Sequence, residues 1–341
     1  MKKTNFLMLI SVVSMILISC TSDEKIEDTL TTETALKQNS EPGAPMLFAT
    51  LPSGAMGSTI GPGGDLFVTQ SGAAGSILRI DKNTGEVSTF ASGLPVSPAP
   101  IGGMTDVVFI DDTAYALVTL VGSFFGSDSV NGIYKITGPN SYEVVADIGL
   151  FANNYPPTTD FFLPEGLQFA IETYQGSFLV TDGHHNRVYR VTPEGDITIF
   201  KVFDNIVPTG LEVKGNTVYM SQTGPVPHFP EDGKIVSFIS DTSEVIDVAS
   251  GAPMLVDVEY GRGQTLFGLS QGSWIGVTDG DAAEPGTGAL VRINEDGTLT
   301  TITNELDRPT SLEFIQNTAF IVTLTGEVWT VDNVASPPFG I

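Results

Sequence analysis

A short phrase that returns six times constrains this chain more than any other feature. Its clearest copies are PEGLQF at 164–169, PTGLEV at 208–213 and PTSLEF at 309–314. Looser versions are LVDVEY at 255–260, MTDVVF at 104–109 and AMGSTI at 55–60. Successive copies begin 49, 60, 44, 47 and 54 residues apart, the length of one four-stranded propeller blade. A second apolar run follows each phrase, as in DLFVTQ, GSFLVTD and NTVYMSQ, and then a third, as in GSILRI, NRVYRV and GKIVSF. A fourth follows five of the copies, as in GEVSTFA and GDITIFKV. These runs are short, rich in Val, Ile, Thr, Phe and Tyr, and bounded by Gly, Asn and Asp, which reads as strand and turn. After the N-terminal apolar run, no stretch carries sustained helical periodicity with caps. The chain reads as all-β.

The sixth copy ends near Val334 with only three strands, while one apolar run, PMLFAT at 45–50, stands unclaimed before the first. If that run is the outer strand of the last blade, the ring closes and both chain ends are tied down. The expected fold is therefore a six-bladed β-propeller of four-stranded blades over 44–334, sealed by its own N-terminal strand at about 45–50. Residues 335–341 form a tail. An open β-sandwich array is the alternative, and it leaves 45–50 without a role.

Ahead of the domain, Lys2 and Lys3 precede a thirteen-residue apolar run, Phe6–Ile18. It is short for a membrane span and fits a signal peptide over 1–19. Leu17-Ile18-Ser19-Cys20 resembles a lipobox, with Cys20 as the lipidated residue and the only cysteine. Thr21 to about Gly43 is polar and aperiodic, a flexible tether over 20–43. Thr21-Ser22-Asp23-Glu24 resembles an export signal for the outer membrane, with surface exposure as the further expectation. Removing Lys2 and Lys3 takes the net charge from −25 to 13 − 40 = −27. That excludes nucleic acid as a partner and docking by a basic patch, so contact with the membrane is expected through the lipid alone. No CxxC or HExxH motif is present. The protein is read as a monomer.

In such a ring the connections between blades share one face with the loops joining second and third strands. The latter include GHH at 183–185, VGSFFGSDSVN at 121–131, TGPVPHFPED at 223–232 and GSWIGVTDGDAAEPGT at 272–287. Long Gly- and Pro-rich excursions on one rim of a rigid scaffold are where binding residues concentrate. His184, His185 and His228, all the histidines of the chain, fall on this face as candidate catalytic residues. Asp106, Glu165 and Asp257 fall at inner-strand entrances and are candidate ligands for Ca²⁺ or Mg²⁺. Such an ion would polarise a lactone or ester carbonyl while a histidine moved the proton. The plainer alternatives are aspartates bonded to backbone amides and a solvated hairpin tip. Phe124, Phe125, Phe229 and Trp274 are candidate ligand-binding aromatics, or else they fold over and plug the channel.

"TDGHHNRVYRV", "VPTGLEVKGNTVYMSQTGPVPHFPEDGKI" and "LPSGAMGSTIGPGGDLFVTQSGAAGSILRID" resemble the ScyD/ScyE family of secreted propellers, from about Ala44 to Val334. The Thr-Asp…Asn-Arg-Val run is also similar to the NHL repeat, and the blade size to SMP-30-type lactonases. The first resemblance implies an exported six-bladed propeller, some members being associated with scytonemin pigment clusters. The lactonase likeness implies a glutamate and an aspartate at inner-strand starts, carried over to Glu165 and Asp257, while the asparagine ligand of those enzymes has no clear match. The expected function is binding of a small molecule, glycan or protein at the loop face without catalysis. The alternatives are a metal-dependent lactonase and an accessory protein of a secreted biosynthetic pathway.

Overall fold

The computed structural model describes residues 41–335 apart from 73, 100, 160–162 and 277–279. The expected leader, Cys20, most of the tether and the tail beyond 335 lie outside the described residues.

Among the described residues, alternating apolar runs form 24 strands in six four-stranded antiparallel sheets. Strand β1 (Met46–Thr50) comes first. Blade 1 holds β2 (Ser58–Ile60), β3 (Leu66–Gln70), β4 (Ser76–Ile80) and β5 (Val87–Ser92). Blade 2 holds β6 (Gly103–Ile110), β7 (Thr113–Thr119), β8 (Gly132–Gly138) and β9 (Ser141–Asp147). Blade 3 holds β10 (Gln168–Tyr174), β11 (Ser177–Asp182), β12 (Arg187–Val191) and β13 (Ile197–Val202). Blade 4 holds β14 (Pro208–Lys214), β15 (Thr217–Gln222), β16 (Lys234–Phe238) and β17 (Ile246–Ser250). Blade 5 holds β18 (Leu255–Tyr260), β19 (Leu266–Ser270), β20 (Gly288–Ile293) and β21 (Leu299–Leu306). Blade 6 holds β22 (Pro309–Ile315), β23 (Thr318–Thr323) and β24 (Glu327–Asp332), with β1 as its fourth strand. Inner strands touch in sequence around the axis, and β22 returns to β2. The fold is the expected six-bladed β-propeller.

The closure is specific. Met46 pairs with Thr330 and Thr50 with Glu327, and Gly43 N donates to Asp332 O at 2.7 Å. The chain thus enters β1 at the end remote from the Leu324–Gly326 turn. Val334 and Ala335 are buried, and Asn317, in the turn between β22 and β23, holds Ala335 through both its backbone N and O.

The core lies between blades rather than within them, because each sheet must cover both faces. Six apolar clusters sit at the six seams. At the closing seam Ala49 and Leu51 pack with Leu66, Phe320 and Val328, and Phe48 meets Phe320 edge-on at 5.3 Å. Among the described residues one α-helix departs from the all-strand expectation: α1 (Ile148–Asn154), capped by Asp147, whose Oδ1 accepts from Leu150 N at 2.7 Å. It sits in the connection from blade 2 to blade 3, which accounts for the 60-residue interval in the repeat.

Five inner strands carry a register shift just inside their entrances, which frees backbone amides. Hydroxyls of neighbouring second strands accept them. Ala170 N reaches Thr181 Oγ1 at 3.0 Å and Gly210 N reaches Ser221 Oγ at 2.9 Å, and Gly57 N, just ahead of the unshifted β2, makes the same contact with Thr69 Oγ1 at 3.0 Å. The recurring Val-Thr and Met-Ser pairs of the sequence thus have a backbone reason.

A chain beginning at residue 41 should keep the melting temperature of the whole protein. One beginning at 51 loses β1, with roughly 1.5–3 kcal/mol for the burial of Phe48, and bares β24 as an edge. Thermal melts and size-exclusion chromatography should show that second chain melting lower and aggregating.

Candidate functional site

The loop face opens into a cavity of about 370 Å³ on the propeller axis. Its wall comes from blade entrances, Met56, Leu167, Val207 and Met254, and its floor from Phe169, Thr209 and Val256. The second-to-third-strand loops add His184, Val226, His228, Gln271 and Leu324. Val207 and Met254 hold left-handed backbones, φ 53° and 42°, as does the equivalent Arg308 at 48°. Each presents its carbonyl to the loop opposite: Thr223 N at 3.1 Å, Gln271 N at 2.9 Å and Leu324 N at 2.9 Å respectively. A left-handed L-residue costs roughly 1–2 kcal/mol, and β-branched Val207 is an outlier even among these. Such strain concentrates at ligand sites.

The three histidines part company here. His184 lines the cavity. Its Nδ1 donates to Glu165 O at 2.7 Å, since a carbonyl can only accept, so in the neutral ring Nε2 carries the lone pair. His228 also lines the cavity, with Nδ1 donating to Gly224 O at 2.7 Å and its ring edge-on to Trp274 at 5.4 Å. His185 corrects the expectation. It is 3% exposed, lies outside the cavity lining, and belongs to a buried network centred on Asp182.

Asp182 Oδ1 accepts from Leu167 N and His185 N, both at 3.0 Å. Its Oδ2 accepts from Gln168 Nε2 at 2.9 Å and Tyr189 Oη at 3.0 Å, with His185 Nδ1 at 3.2 Å. Burial opposes ionisation of Asp182, but the hydrogen bond and charge of His185, with His184 beyond it, win, and its pKa falls well below the carboxylate range. Burial likewise disfavours the His185 imidazolium, yet the bond to Asp182 and its charge raise the pKa. Arg187 Nη2 lies 3.2 Å from the same Nδ1, so the neutral ring accepts from arginine and the protonated ring donates to aspartate. His185 Nε2 holds Leu163 O at 2.9 Å, and Arg187 Nη1 holds Tyr155 O at 2.8 Å. The network anchors the blade 2–3 connection, which supplies cavity wall.

The proposed metal ligands do not assemble. Asp106 Oδ1 accepts from Val107 N at 2.8 Å and Oδ2 from Ile171 N at 2.9 Å, in the next blade. Asp257 repeats this three blades on, Oδ1 with Val258 N at 2.9 Å and Oδ2 with Leu312 N at 2.8 Å. A Cβ at Gly57 or Gly210 would overlap these carboxylates, so glycine in the preceding blade makes their room. They are inter-blade clamps. Glu165 lies three residues before β10, not on an inner strand, because the copy of the phrase in blade 3 starts at Gln168 and PEGLQF is four residues out of register. Among the described residues no group of three acidic, histidine or cysteine side chains could hold a metal ion. The Ca²⁺ or Mg²⁺ site expected from Asp106, Glu165 and Asp257 therefore does not fit this donor set.

The correct register exposes something the sequence reading missed. Glu172, Glu212, Glu259 and Glu313 occupy equivalent positions in blades 3 to 6, two residues deeper than the Asp257 level, or about 7 Å along a strand. Burial pushes Glu172 up to about 7 and raises Glu212, Glu259, Glu313, Asp106 and Asp257, the mutual repulsion of these carboxylates adding to it for all but Glu172. Glu259 and Glu212 act on each other's protonation.

The aromatic expectation also changes. Phe124 is 74% exposed and meets Phe125 at 5.1 Å, and Phe229 is 51% exposed; none of the three lines the cavity. Trp274 stands behind His228, its Nε1 donating to Asp281 O at 3.1 Å, and Asp281 lines the cavity. The wall is aliphatic instead. Its signal was the apolar residue just ahead of each inner strand, Leu167, Val207 and Met254, readable only after the blade 3 copy is re-registered.

A closed six-bladed ring with one apolar cavity at its loop-face mouth is the class of protein defined here. The sequence matches no protein-family model and no curated protein. Its fold is similar to that of a gluconolactonase from Xanthomonas campestris (TM-score 0.59, 13% identity, covering 85% of this chain and 89% of that one). It is similar also to the virginiamycin B lyase of Staphylococcus aureus (0.53, 14%, 85% and 98%) and to a PQQ-bound aldose sugar dehydrogenase from Streptomyces coelicolor (0.57, 14%, 86% and 98%). At such identities the likeness is one of fold.

Two pH effects share a sign. The channel glutamates have folded pKa values above their unfolded ones, so the native state holds extra protons and loses stability as pH rises, from about 4.5 through 7 for Glu172 and Glu212. The stability His185 adds is complete below pH 6.5 and lost as pH rises through its raised folded pKa. Asp182 works the other way: what it contributes is present above about 3.8 and lost in stronger acid. Thermal melts should therefore peak in mild acid and fall toward pH 8, with Glu172→Gln flattening the decline. Asp182→Ala should cost roughly 3–5 kcal/mol in denaturant titrations.

Proposed function

We propose that this protein is a binding propeller, receiving a small and largely apolar molecule in the axial cavity of its loop face. The cavity itself carries the reading. Its volume of about 370 Å³ falls in the range of small-molecule sites, its wall is mainly aliphatic, and His184 offers a hydrogen-bond acceptor. The resemblance to ScyD/ScyE propellers agrees with binding without an assigned reaction. The neutral fluorophore N-phenyl-1-naphthylamine should bind at one equivalent and perturb Trp274 emission, an effect lost in Trp274→Phe. Leu324→Trp should fill the cavity and weaken the probe at least tenfold; unchanged affinity in that variant would sink the assignment.

A second reading rests on one observation. With Nδ1 committed to Glu165 O, the Nε2 of His184 is set to accept a proton beside the cavity, and the similar folds include a lactonase and a lyase. It calls for no metal step. Turnover in a panel of lactones and aryl esters, abolished by His184→Ala, would favour catalysis over simple binding.

The chain is further proposed to be exported and lipid-anchored at Cys20, with the cell envelope, and the outer membrane within it, as its place. The lipobox-like Leu17–Cys20 supports this. Metabolic labelling with palmitate should mark the protein, and Cys20→Ala should abolish both the label and retention in the membrane fraction.

A further inference from the structure

Beneath an aliphatic cavity stand carboxylates that the binding reading leaves unused. Asp257 follows the floor residue Val256 directly, and Glu259 lies two residues deeper on β18. Asp106 enters the channel from β6, Glu172 from β10, Glu212 from β14 and Glu313 from β22. At the glutamate level Thr59 and Val108 stand in blades 1 and 2, so the negative side of the channel is formed by blades 3 to 6. The charge of Lys214 acts on Glu212, and its Nζ lies 4.1 Å from the Tyr260 ring centroid. At the mouth, the described loop residues of this face carry eight carboxylates against one basic side chain, Arg308, whose Nε is held by Asp307 at 2.7 Å. One of the eight, Asp281, lines the cavity. His184 adds an acceptor rather than a fixed positive charge. A ligand entering along the axis passes from acidic rim to apolar wall to acidic channel.

We propose that cavity and channel together recognise an organic cation with an apolar body, the body held against Leu167, Val207 and Met254 and the charged head directed down the axis toward Asp257 and the glutamates. This rests on the cavity reading above and narrows it to one ligand class. A neutral molecule of the same shape gains only the wall. A carboxylate pays repulsion at both ends, and in a site of low effective dielectric that repulsion is weakly screened. A cation also relieves the crowding among Glu212, Glu259 and Glu313, whose charges oppose one another. Its binding must then displace protons from the ring and strengthen with rising pH.

Three molecules of one shape test this: 1-naphthylmethylamine, 1-naphthalenemethanol and 1-naphthoate, titrated calorimetrically into the whole protein. The amine is expected to bind at least tenfold more tightly than the alcohol, and the naphthoate most weakly. Amine affinity should rise from pH 6 to pH 8 with protons released to buffer, while alcohol affinity stays level. Combining Glu259→Gln with Glu313→Gln should bring the amine-to-alcohol ratio toward one and remove the proton release. The wild-type pH profile carries the test should that variant fail to fold. An alcohol that binds as tightly as the amine overturns the cation inference and leaves the cavity reading standing. Failure of all three to bind overturns both. An amine preference that survives in the double variant, or that does not change with pH, overturns the role given to the channel.

Discussion

Everything on the axis depends on the pairing of β1 with β24. Six sheets can surround a channel only if the last seam is as well packed as the other five, and that seam needs Ala49 and Leu51 from one end of the chain against Phe320 and Val328 from the other. Ring closure sets the distance between facing inner strands. It thereby sets the width of the cavity, the spacing of the carboxylates below it and the reach of each loop across the mouth. A propeller missing its seal would keep most of its blades and lose the geometry of its centre.

Around that centre the same chemical type serves opposite purposes. Asp106 and Asp257 each accept two backbone amides and knit one blade to the next. The glutamates one layer down are held together mainly by the scaffold against their own repulsion. Asp182 is a third case, a carboxylate so fully bonded that it stays ionised although buried. Partners rather than depth decide which acid is structural and which is poised. The left-handed Val207 and Met254 make a similar point in the backbone, since strain at the mouth is borne by packing elsewhere.

The architecture was legible because it is periodic. Repeat length, strand number and the spare run at 45–50 led to six blades and the N-terminal seal, and the crowded face was found from loop lengths. Side-chain roles were not legible in the same way. His184 and His185 are adjacent in sequence, yet one lines a cavity and the other is buried, a difference produced by Asp182 and Leu163 across the fold. The blade 3 phrase misled because Leu167 and Ile171 both offer an apolar residue before an acid or its amide. Only the pairing of Gln168 with Asp182 settles the register and puts Glu172, not Glu165, among the channel acids. The α1 helix escaped notice because two turns are too short to establish a period, and its cap, Asp147, ends a strand.

Both ends of the described chain sit on the back of the disc. Gly43 bonds Asp332 where β24 finishes, and Ala335 is held by Asn317 in the turn between β22 and β23, whereas Leu324 looks into the cavity from the front. The described chain therefore begins and ends on the side of the disc away from the cavity mouth, so neither end crosses the open bowl.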